Sequence, residues 1–540
     1  MGCSNSKDEA VARGGAGWPK KASKDGGANG GSRLGVVTGD LRYNMLKATK
    51  TANFEELYEL QEGELGSAAM GCVVRGARKK RTGEMFACKT FLVSSVPKRS
   101  QQKRVLDTLR NEIDLLRSLD HPNIVRAYES YRVGHDLHLI MELCRGGDLN
   151  ARTYTEAQAA TVVRQTLSAL NHAHMKGICH RDLKFENILW ESKAEDAHIK
   201  LIDFGMSARF QEGMTMNERV GSVYTMAPEV LHGEYTKKAD LWSVGCITFH
   251  LISGSPPFEC EEEVDTMKRT LAVKYFWPHG STISSEAKQF VYHLLKFDPR
   301  SRWTIDEAMN SAWLRRFAPG GPDATPPPSY ASDDFLSTSV DGSGGCGATG
   351  GAGGKEEGGG NERWQQQQQR LQQQQQLPLG QEGCSNCTSS RRPSIRTRML
   401  TSMRDYKSYG SLRRIALMVV AYNQAPEKLR DLRKEFMEID TERNGIISRG
   451  ELQAALTVRG VAHEEIEELF ASLDVDQSGD IHYTEFLAAT IEAVGATEEE
   501  RLRLAFERLD TDESGYITLH NLKEIMGPSY DDDAIRHTLE

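Results

Sequence analysis

His180-Arg181-Asp182-Leu183-Lys184-Phe185-Glu186-Asn187 gathers a carboxylate, an ammonium and a carboxamide into one short stretch. Working outward, Asp203-Phe204-Gly205 follows an apolar strand-like run from Ile199 to Ile202, and Ala227-Pro228-Glu229 comes next. Asp240-Leu241-Trp242-Ser243-Val244-Gly245 lies beyond it, and Arg302 stands further downstream. On the other side, Phe86-Ala87-Cys88-Lys89 precedes Glu112, which sits on a helical period in Arg110-Asn111-Glu112-Ile113-Asp114-Leu115-Leu116. Before these comes Leu65-Gly66-Ser67-Ala68-Ala69-Met70-Gly71-Cys72-Val73, a glycine-bearing strand-turn-strand pattern. Each string alone occurs by chance. The full set in this order does not.

The ordered set resembles the protein kinase catalytic domain over residues 58–317. That resemblance implies an α+β two-lobed fold and transfer of the ATP γ-phosphate with Mg2+, a reaction that needs positioning and charge neutralisation more than covalent chemistry. By the same resemblance Asp182 accepts the proton of the attacking hydroxyl, Lys184 neutralises the γ-phosphate, and Asn187 and Asp203 ligate Mg2+. Lys89 holds the α- and β-phosphates and pairs with Glu112. Gly66 and Gly71 bracket the phosphate lid, and Leu65, Val73, Ala87 and Leu189 sandwich the adenine. Met141 guards that pocket, Glu142 to Cys144 form the hinge, and Arg302 pairs with Glu229.

Three positions depart from the pattern. Ala68 stands where the lid expects glycine, and Phe185 stands where proline is commoner. After Gly146-Gly147-Asp148-Leu149 the chain reaches Thr155-Glu156, which reads as the start of the next long helix, so the intervening helix is clipped or a piece is missing.

Lys184 is the serine/threonine-kinase choice. Asp148 and Glu186 match positions where basophilic kinases hold a substrate arginine, and charge-assisted pairs of that kind favour targets of the form Arg-x-x-Ser/Thr. Glu218 can supply the negative charge that other kinases obtain by phosphorylating the activation segment.

The bulk numbers bound the rest. The chain has 540 residues, 39% hydrophobic and 26% charged, ordinary values for globular domains. A formal net charge of -9 argues against nucleic acid as a partner. Its 10 cysteines show no disulfide spacing, as expected in a reducing cytosol. Residues 1–40 read as a flexible arm opening on Met-Gly-Cys-Ser-Asn-Ser, a myristoylation pattern at Gly2 with a palmitoylation candidate at Cys3. Two acyl chains hold a membrane where one does so only marginally, so the expected location is cytoplasmic and membrane-associated, at the plasma membrane. Residues 318–390 are rich in Pro, then Gly, then Gln, a composition that cannot offset its ordering entropy and reads as a disordered linker. Residues 391–427 form a basic junction with Met399, Met403, Tyr406, Leu412, Ile415 and Val419 at helical spacing, bent or broken at Gly410.

Residues 428–540 read as an all-α EF-hand domain. Calcium loops of that type place oxygen ligands at positions 1, 3, 5, 7, 9 and 12, with glycine at 6. The loop 440–451 supplies Asp440, Glu442, Asn444, the Ile446 carbonyl, Ser448 and Glu451. The loop 474–485 supplies Asp474, Asp476, Ser478, the Asp480 carbonyl, His482 and Glu485. The loop 510–521 supplies Asp510, Asp512, Ser514, the Tyr516 carbonyl and Thr518, but Asn521 replaces the bidentate glutamate, so weak calcium binding is expected there. A fourth loop is absent from the sequence. The first two loops are expected to pair, with Leu432, Phe436, Leu469 and Phe470 on flanking helices.

Kinase, basic junction and EF-hands in one chain resemble the calcium-dependent protein kinases of plants and protists. The resemblance implies a monomer in which the junction blocks the substrate groove until calcium-loaded hands remove it, with Ca2+ joining ATP and Mg2+. Protein substrates with basic residues near Ser/Thr and the membrane surface are the expected partners. Two rival readings remain at this stage: a constitutive kinase whose hands recruit a partner, and a non-catalytic calcium-sensing scaffold. Arg391-Arg392-Pro393-Ser394 has the expected substrate form. Mass spectrometry after incubation with MgATP is predicted to find phosphate on Ser394, and an unmodified Ser394 would overturn that assignment.

Overall fold

The computed structural model describes residues 49–50, 54–68, 72–93, 96, 98–280, 282–317, 394–494, 498–510 and 514–526. Gly2, Cys3, Gly71 and Asp512 lie outside them, as do all of the arm 1–40 and all of the linker 318–390.

The runs around Lys89 form a seven-stranded sheet ordered β1 (Thr49–Lys50), β6 (Ala127–Val133), β7 (Asp136–Met141), β5 (Met85–Phe91), β4 (Cys72–Lys79) and β2 (Tyr58–Leu60), with β3 (Gly66–Ala68) also on β4. β5 is central, between β4 and β7, and is buried along nearly its whole length. A strand covered on both faces reads as a continuous apolar run, so the single charge within it, Lys89, stands out. Register sets Ala87 beside Met141, with Gly76 on its other side, which assembles one wall of a pocket from residues far apart in sequence. Helix α1 (Arg99–Ser118) carries Glu112 against this sheet.

The lower lobe is built on two buried helices, α2 (Glu156–Met175) and α3 (Lys238–Ser253). α2 begins on a capping box, with Thr155 and Gln158 satisfying each other's backbone N–H groups. The shortened connector before it is a single 3-10 turn, Leu149–Ala151. Tyr154 stacks on Trp190 and donates to the Leu149 carbonyl, and the Arg152 guanidinium lies 4.1 Å over the Trp190 ring. These contacts close the space with side chains that a longer helix would fill. The expected pair forms too: Arg302 donates to both Glu229 oxygens at 2.7 and 3.1 Å with both groups buried.

A second core holds the junction and the hands. The junction is two helices, α4 (Ile395–Lys407) and α5 (Ser411–Asn423), with Gly410 as the N-cap of the second. Helices α6 (Arg430–Ile439) and α7 (Arg449–Thr457) flank the first loop, and α8 (His463–Leu473) and α9 (Tyr483–Thr490) flank the second. The loops pair through β8 (Ile446–Ser448) and β9 (Asp480–His482), with Ile447 opposite Ile481. α10 (Glu498–Leu509) and α11 (Leu519–Met526) flank the third. Met399, Met403, Tyr406, Ile415, Met418 and Val419 are all buried in this core together with Leu432, Phe436, Leu469 and Phe470. The apolar face of the junction therefore sits in the hands rather than in the substrate groove. Its cations pair with their acids: Arg404 meets Glu465 at 2.6 Å, and Arg396 meets Glu435 at 2.7 Å.

The two bodies meet across a polar interface that uses none of the catalytic groups. Tyr422 at the end of α5 donates to the Ala127 carbonyl at 2.6 Å and belongs to the kinase core. Arg126 donates to the Ala421 and Tyr422 carbonyls. Asp120 accepts from the Thr484 backbone and hydroxyl, both at 2.8 Å. Ser168 and His172 of α2 reach the Arg443 and Asn444 carbonyls in the first calcium loop. Arg508 of α10 forms a buried ion pair with Glu129. Arg433 grips both oxygens of Glu191, one at 2.9 Å, with both side chains buried. Burial alone would raise the Glu191 carboxyl, but the Arg433 hydrogen bonds hold it down at about 2. Removing one partner of such a pair leaves an uncompensated buried charge and costs about 3–5 kcal/mol. Arg433→Ala is therefore expected to loosen the docked arrangement roughly hundredfold or more. Hydrogen exchange should then accelerate at residues 120–127 and 430–444, while the buried helices α2 and α3 keep their protection.

Candidate functional site

Lys89 is the meeting point of the upper site. Its Nζ lies 2.7 Å from Glu112 and 2.8 Å from Asp203, and it is 4% exposed. Burial opposes its charge, but the two carboxylates outweigh that and raise it above the ordinary lysine range. Burial also works against Asp203, where Lys89 wins and holds the carboxyl low. At Glu112 burial wins over Lys89 and pushes the carboxyl up. The ammonium is thus held between the two carboxylates of Glu112 and Asp203. Phe204 is fully buried and packs edge-on against His180.

The lower site hangs from Asp240 in α3. Its carboxylate accepts from the His180 and Arg181 backbone N–H groups at 2.9 and 2.8 Å and pairs with His174 at 2.8 Å. These bonds outweigh its burial and leave the carboxyl at about 2. They also hold Arg181 at φ +69°, and Asp203 adopts φ +61°. Non-glycine residues rarely adopt that region, and such strain concentrates where a site needs particular geometry.

With its backbone fixed in this way, Asp182 is aimed at the groove. Its Oδ2 accepts from Asn187 Nδ2 and lies by Lys184 Nζ, both at 3.0 Å. Its Oδ1 accepts from the Ser222 backbone at 2.9 Å and hydroxyl at 2.8 Å. Lys184 also donates to the Ser222 hydroxyl at 3.0 Å. A hydroxyl in this place is held between a base and a cation, the arrangement that proton abstraction from an alcohol requires. Arg181 pairs with Glu218 at 2.9 Å, so the glutamate does occupy the position of an activating charge. Glu186 accepts from Tyr224, and Asp148 accepts from the Asn150 backbone at 2.9 Å, capping the short turn. Phe185 stacks face to face on His250 at 3.9 Å, which fills the place of the usual proline with an aromatic pair.

Of the pocket residues, Ala87 and Met141 are buried side by side, Leu189 is half-buried, and Leu65 is exposed at the rim. Glu142 turns its carboxylate inward to Lys200 at 2.8 Å, with both side chains buried. Ser222, Tyr224 and the docking residues Asp120, Arg126, Glu129 and Glu191 were not legible beforehand. Each is an ordinary polar residue until a distant partner meets it.

The calcium loops share one frame. Asp440 accepts from the Asn444 and Gly445 N–H groups at 3.1 and 2.9 Å, and Asp474 from those of Ser478 and Gly479 at 3.0 and 3.1 Å. Gly445 and Gly479 at position 6 have φ +78° and +93°. Glu451 and Glu485 each fold back over their loop, accepting from the Ser448 and His482 N–H groups at 2.9 and 2.8 Å. Burial pushes the Asp440 carboxyl up to about 7 against the pull of these N–H groups. Acids buried together with too little positive charge are what a divalent cation relieves, so both loops fit one. In the third loop Asp510 keeps the same bonds to Ser514 and Gly515. There Asn521 accepts from the Thr518 backbone and hydroxyl at 2.7 and 2.6 Å, so its single oxygen is already used to cap the exiting helix.

Comparison with known proteins agrees with this arrangement. The protein kinase domain family matches residues 59–314, and the EF-hand domain pair family matches residues 429–491. The chain is 32% identical over 476 residues to calcium-dependent protein kinase 9 of Arabidopsis thaliana, covering 86% of this chain and 74% of the relative. It is 31% identical over 482 residues to calcium-dependent protein kinase 2 of Zea mays, covering 86% and 78%. Restoring the missing ligand by Asn521→Glu is predicted to add one calcium per chain to the number bound by calorimetry. An unchanged stoichiometry would count against reading Asp510, Ser514, Gly515 and Asn521 as the frame of a calcium loop.

Proposed function

The chain belongs to the calcium-dependent protein kinase family and is a calcium-regulated serine/threonine protein kinase; from that premise we propose how its residues divide the work. ATP with Mg2+ supplies the phosphoryl group and the charge that shields it. Lys89 holds the nucleotide phosphates, and Asp203 and Asn187 hold the metal. This assignment is supported by the chemistry of the donor set, since Asn187 uses its N–H on Asp182 and keeps its carbonyl oxygen for a cation. Asp182 takes the proton from the substrate hydroxyl, and Lys184 steadies the charge that develops beside it. The observation that carries this reading is the hydroxyl of Ser222 between Asp182 and Lys184, the contacts an acceptor hydroxyl needs. Substrates carry Arg or Lys ahead of the target residue. Glu186 and Asp148 are the acids that meet those cations, with Tyr224 yielding its hydrogen bond as the substrate enters.

Calcium fills the loops 440–451 and 474–485, which convert the paired hands into a groove for the junction. The apolar face of α4 and α5 then leaves the catalytic groove for the hands, where its burial offsets the loss of its groove contacts. The linker adds little to the cost of inhibition in cis, because closure entropy grows only slowly with length. Acylation at Gly2 and Cys3 brings the monomeric kinase to the plasma membrane. The test is phosphorylation of an Arg-x-x-Ser peptide by the full chain, with calcium and then with chelator, and with Asp182→Asn as control. Activity is expected only with calcium and is expected to fall by roughly a hundredfold to ten-thousandfold in the variant. Equal activity with and without calcium would make the enzyme constitutive, and none in either condition would make the chain a scaffold.

A further inference from the structure

The second calcium loop carries a ligand of the wrong kind for calcium. Its ninth position is His482, where the first loop has Ser448 and the third has Thr518. Calcium takes hard oxygen donors, whereas imidazole nitrogen suits zinc and its neighbours. A histidine on such a loop could simply turn out to solvent. This one does not: it is 6% exposed, and its buried Nδ1 faces the Glu485 backbone N–H in a capping-box arrangement without completing a hydrogen bond. That nitrogen lies 3.5 Å from Glu485 Oε2 and 3.8 Å from Asp476 Oδ2. The three donor atoms all fall within 4.8 Å of one another. Zinc bonds of about 2.0–2.2 Å in a tetrahedron place neighbouring donors about 3.3–3.6 Å apart. Two edges of the site are therefore close to zinc dimensions before any metal arrives.

We propose that the second loop is a mixed nitrogen and oxygen site, formed by Asp476, His482 and Glu485, that takes a divalent cation of the zinc class in competition with calcium. The proposal rests on the reading of residues 474–485 as a cation loop. The ring's other nitrogen stands 3.3 Å from the ammonium of Lys176, the residue that follows α2, and the His482 backbone N–H donates to Glu485 at 2.8 Å. With metal on Nδ1 the ring proton resides on Nε2, and the exposed Lys176 turns to solvent. Three protein donors leave a fourth position for water, and zinc needs only one oxygen of Glu485. Calcium needs both, and that bidentate grip is what ties the loop to α9. A zinc-filled loop is thus occupied but not switched, and zinc raises the calcium concentration needed for half-maximal activity.

The experiment uses the full chain, stripped with chelator, and His482→Asp, which restores an oxygen ligand. Calorimetry with zinc chloride is expected to show one site in the wild type that weakens at least tenfold in the variant. Calcium titrated into zinc-loaded protein should bind at least tenfold more weakly to the wild type and without change to the variant. Cobalt chloride gives an independent readout: the wild type should show the intense visible bands of four-coordinate cobalt, lost in His482→Asp and in His482→Gln. Superimposable zinc isotherms for wild type and variant, or cobalt bands that survive both substitutions, would overturn the proposal by placing the metal elsewhere on the chain. A wild type that binds zinc through His482 but no calcium in this loop would instead overturn the calcium reading and leave the zinc site standing.

Discussion

One ammonium group holds the catalytic half together. Lys89 Nζ lies within 2.8 Å of carboxylates from α1 and from the loop of the other lobe, at Glu112 and Asp203. Three elements with no local reason to meet are joined at that point. The group is buried, so removing either carboxylate would leave its charge poorly compensated. The sheet register that sets Ala87 beside Met141, the position of α1 and the inward seat of Phe204 all agree with this one contact.

The lower lobe repeats the strategy with the sign reversed. Asp240 is a buried acid satisfied by His174 and by two backbone N–H groups of the catalytic loop. It keeps Arg181 in the left-handed region and so aims Asp182 at the hydroxyl site. Neither group touches the reacting atoms, yet each sets the geometry of one that does. The clipped connector after Leu149 is tolerated for a related reason: Arg152, Tyr154 and Trp190 form a local stack that closes the space without a helix.

The interface between kinase and hands follows a different logic. It is rich in ion pairs and backbone hydrogen bonds: Arg433 with Glu191, Arg508 with Glu129, Asp120 with Thr484, and the loop carbonyls with Ser168 and His172. Polar contacts lose little when both sides return to water, whereas a wide apolar interface would stay shut. The junction's apolar surface is buried in the hands in this arrangement. Tyr422, near the end of α5, sits inside the kinase core beside Ala127 and Arg126.

By itself the sequence determined the chemistry and its order. Lys89, Glu112, Asp182, Lys184, Asn187 and Asp203 announced themselves because phosphoryl transfer admits few residue types at those spacings. The calcium loops did so because oxygen donors at the first, third and fifth positions and a glycine at the sixth leave few other readings. Apolar positions on α4, α5, α6 and α8 that prove buried were likewise visible in the sequence. Which polar groups face each other across long separations was fixed by the folded packing. Ser222 on Asp182, Tyr224 on Glu186, Glu129 on Arg508 and the unpartnered nitrogen of His482 depend on backbone paths and rotamers fixed by packing. A local pattern constrains neighbours along the chain, and these contacts are between neighbours in space. The same limit explains the junction. Its arginines suit an acidic groove and its apolar face suits the hands, and packing settled which of the two surfaces it covers in this arrangement.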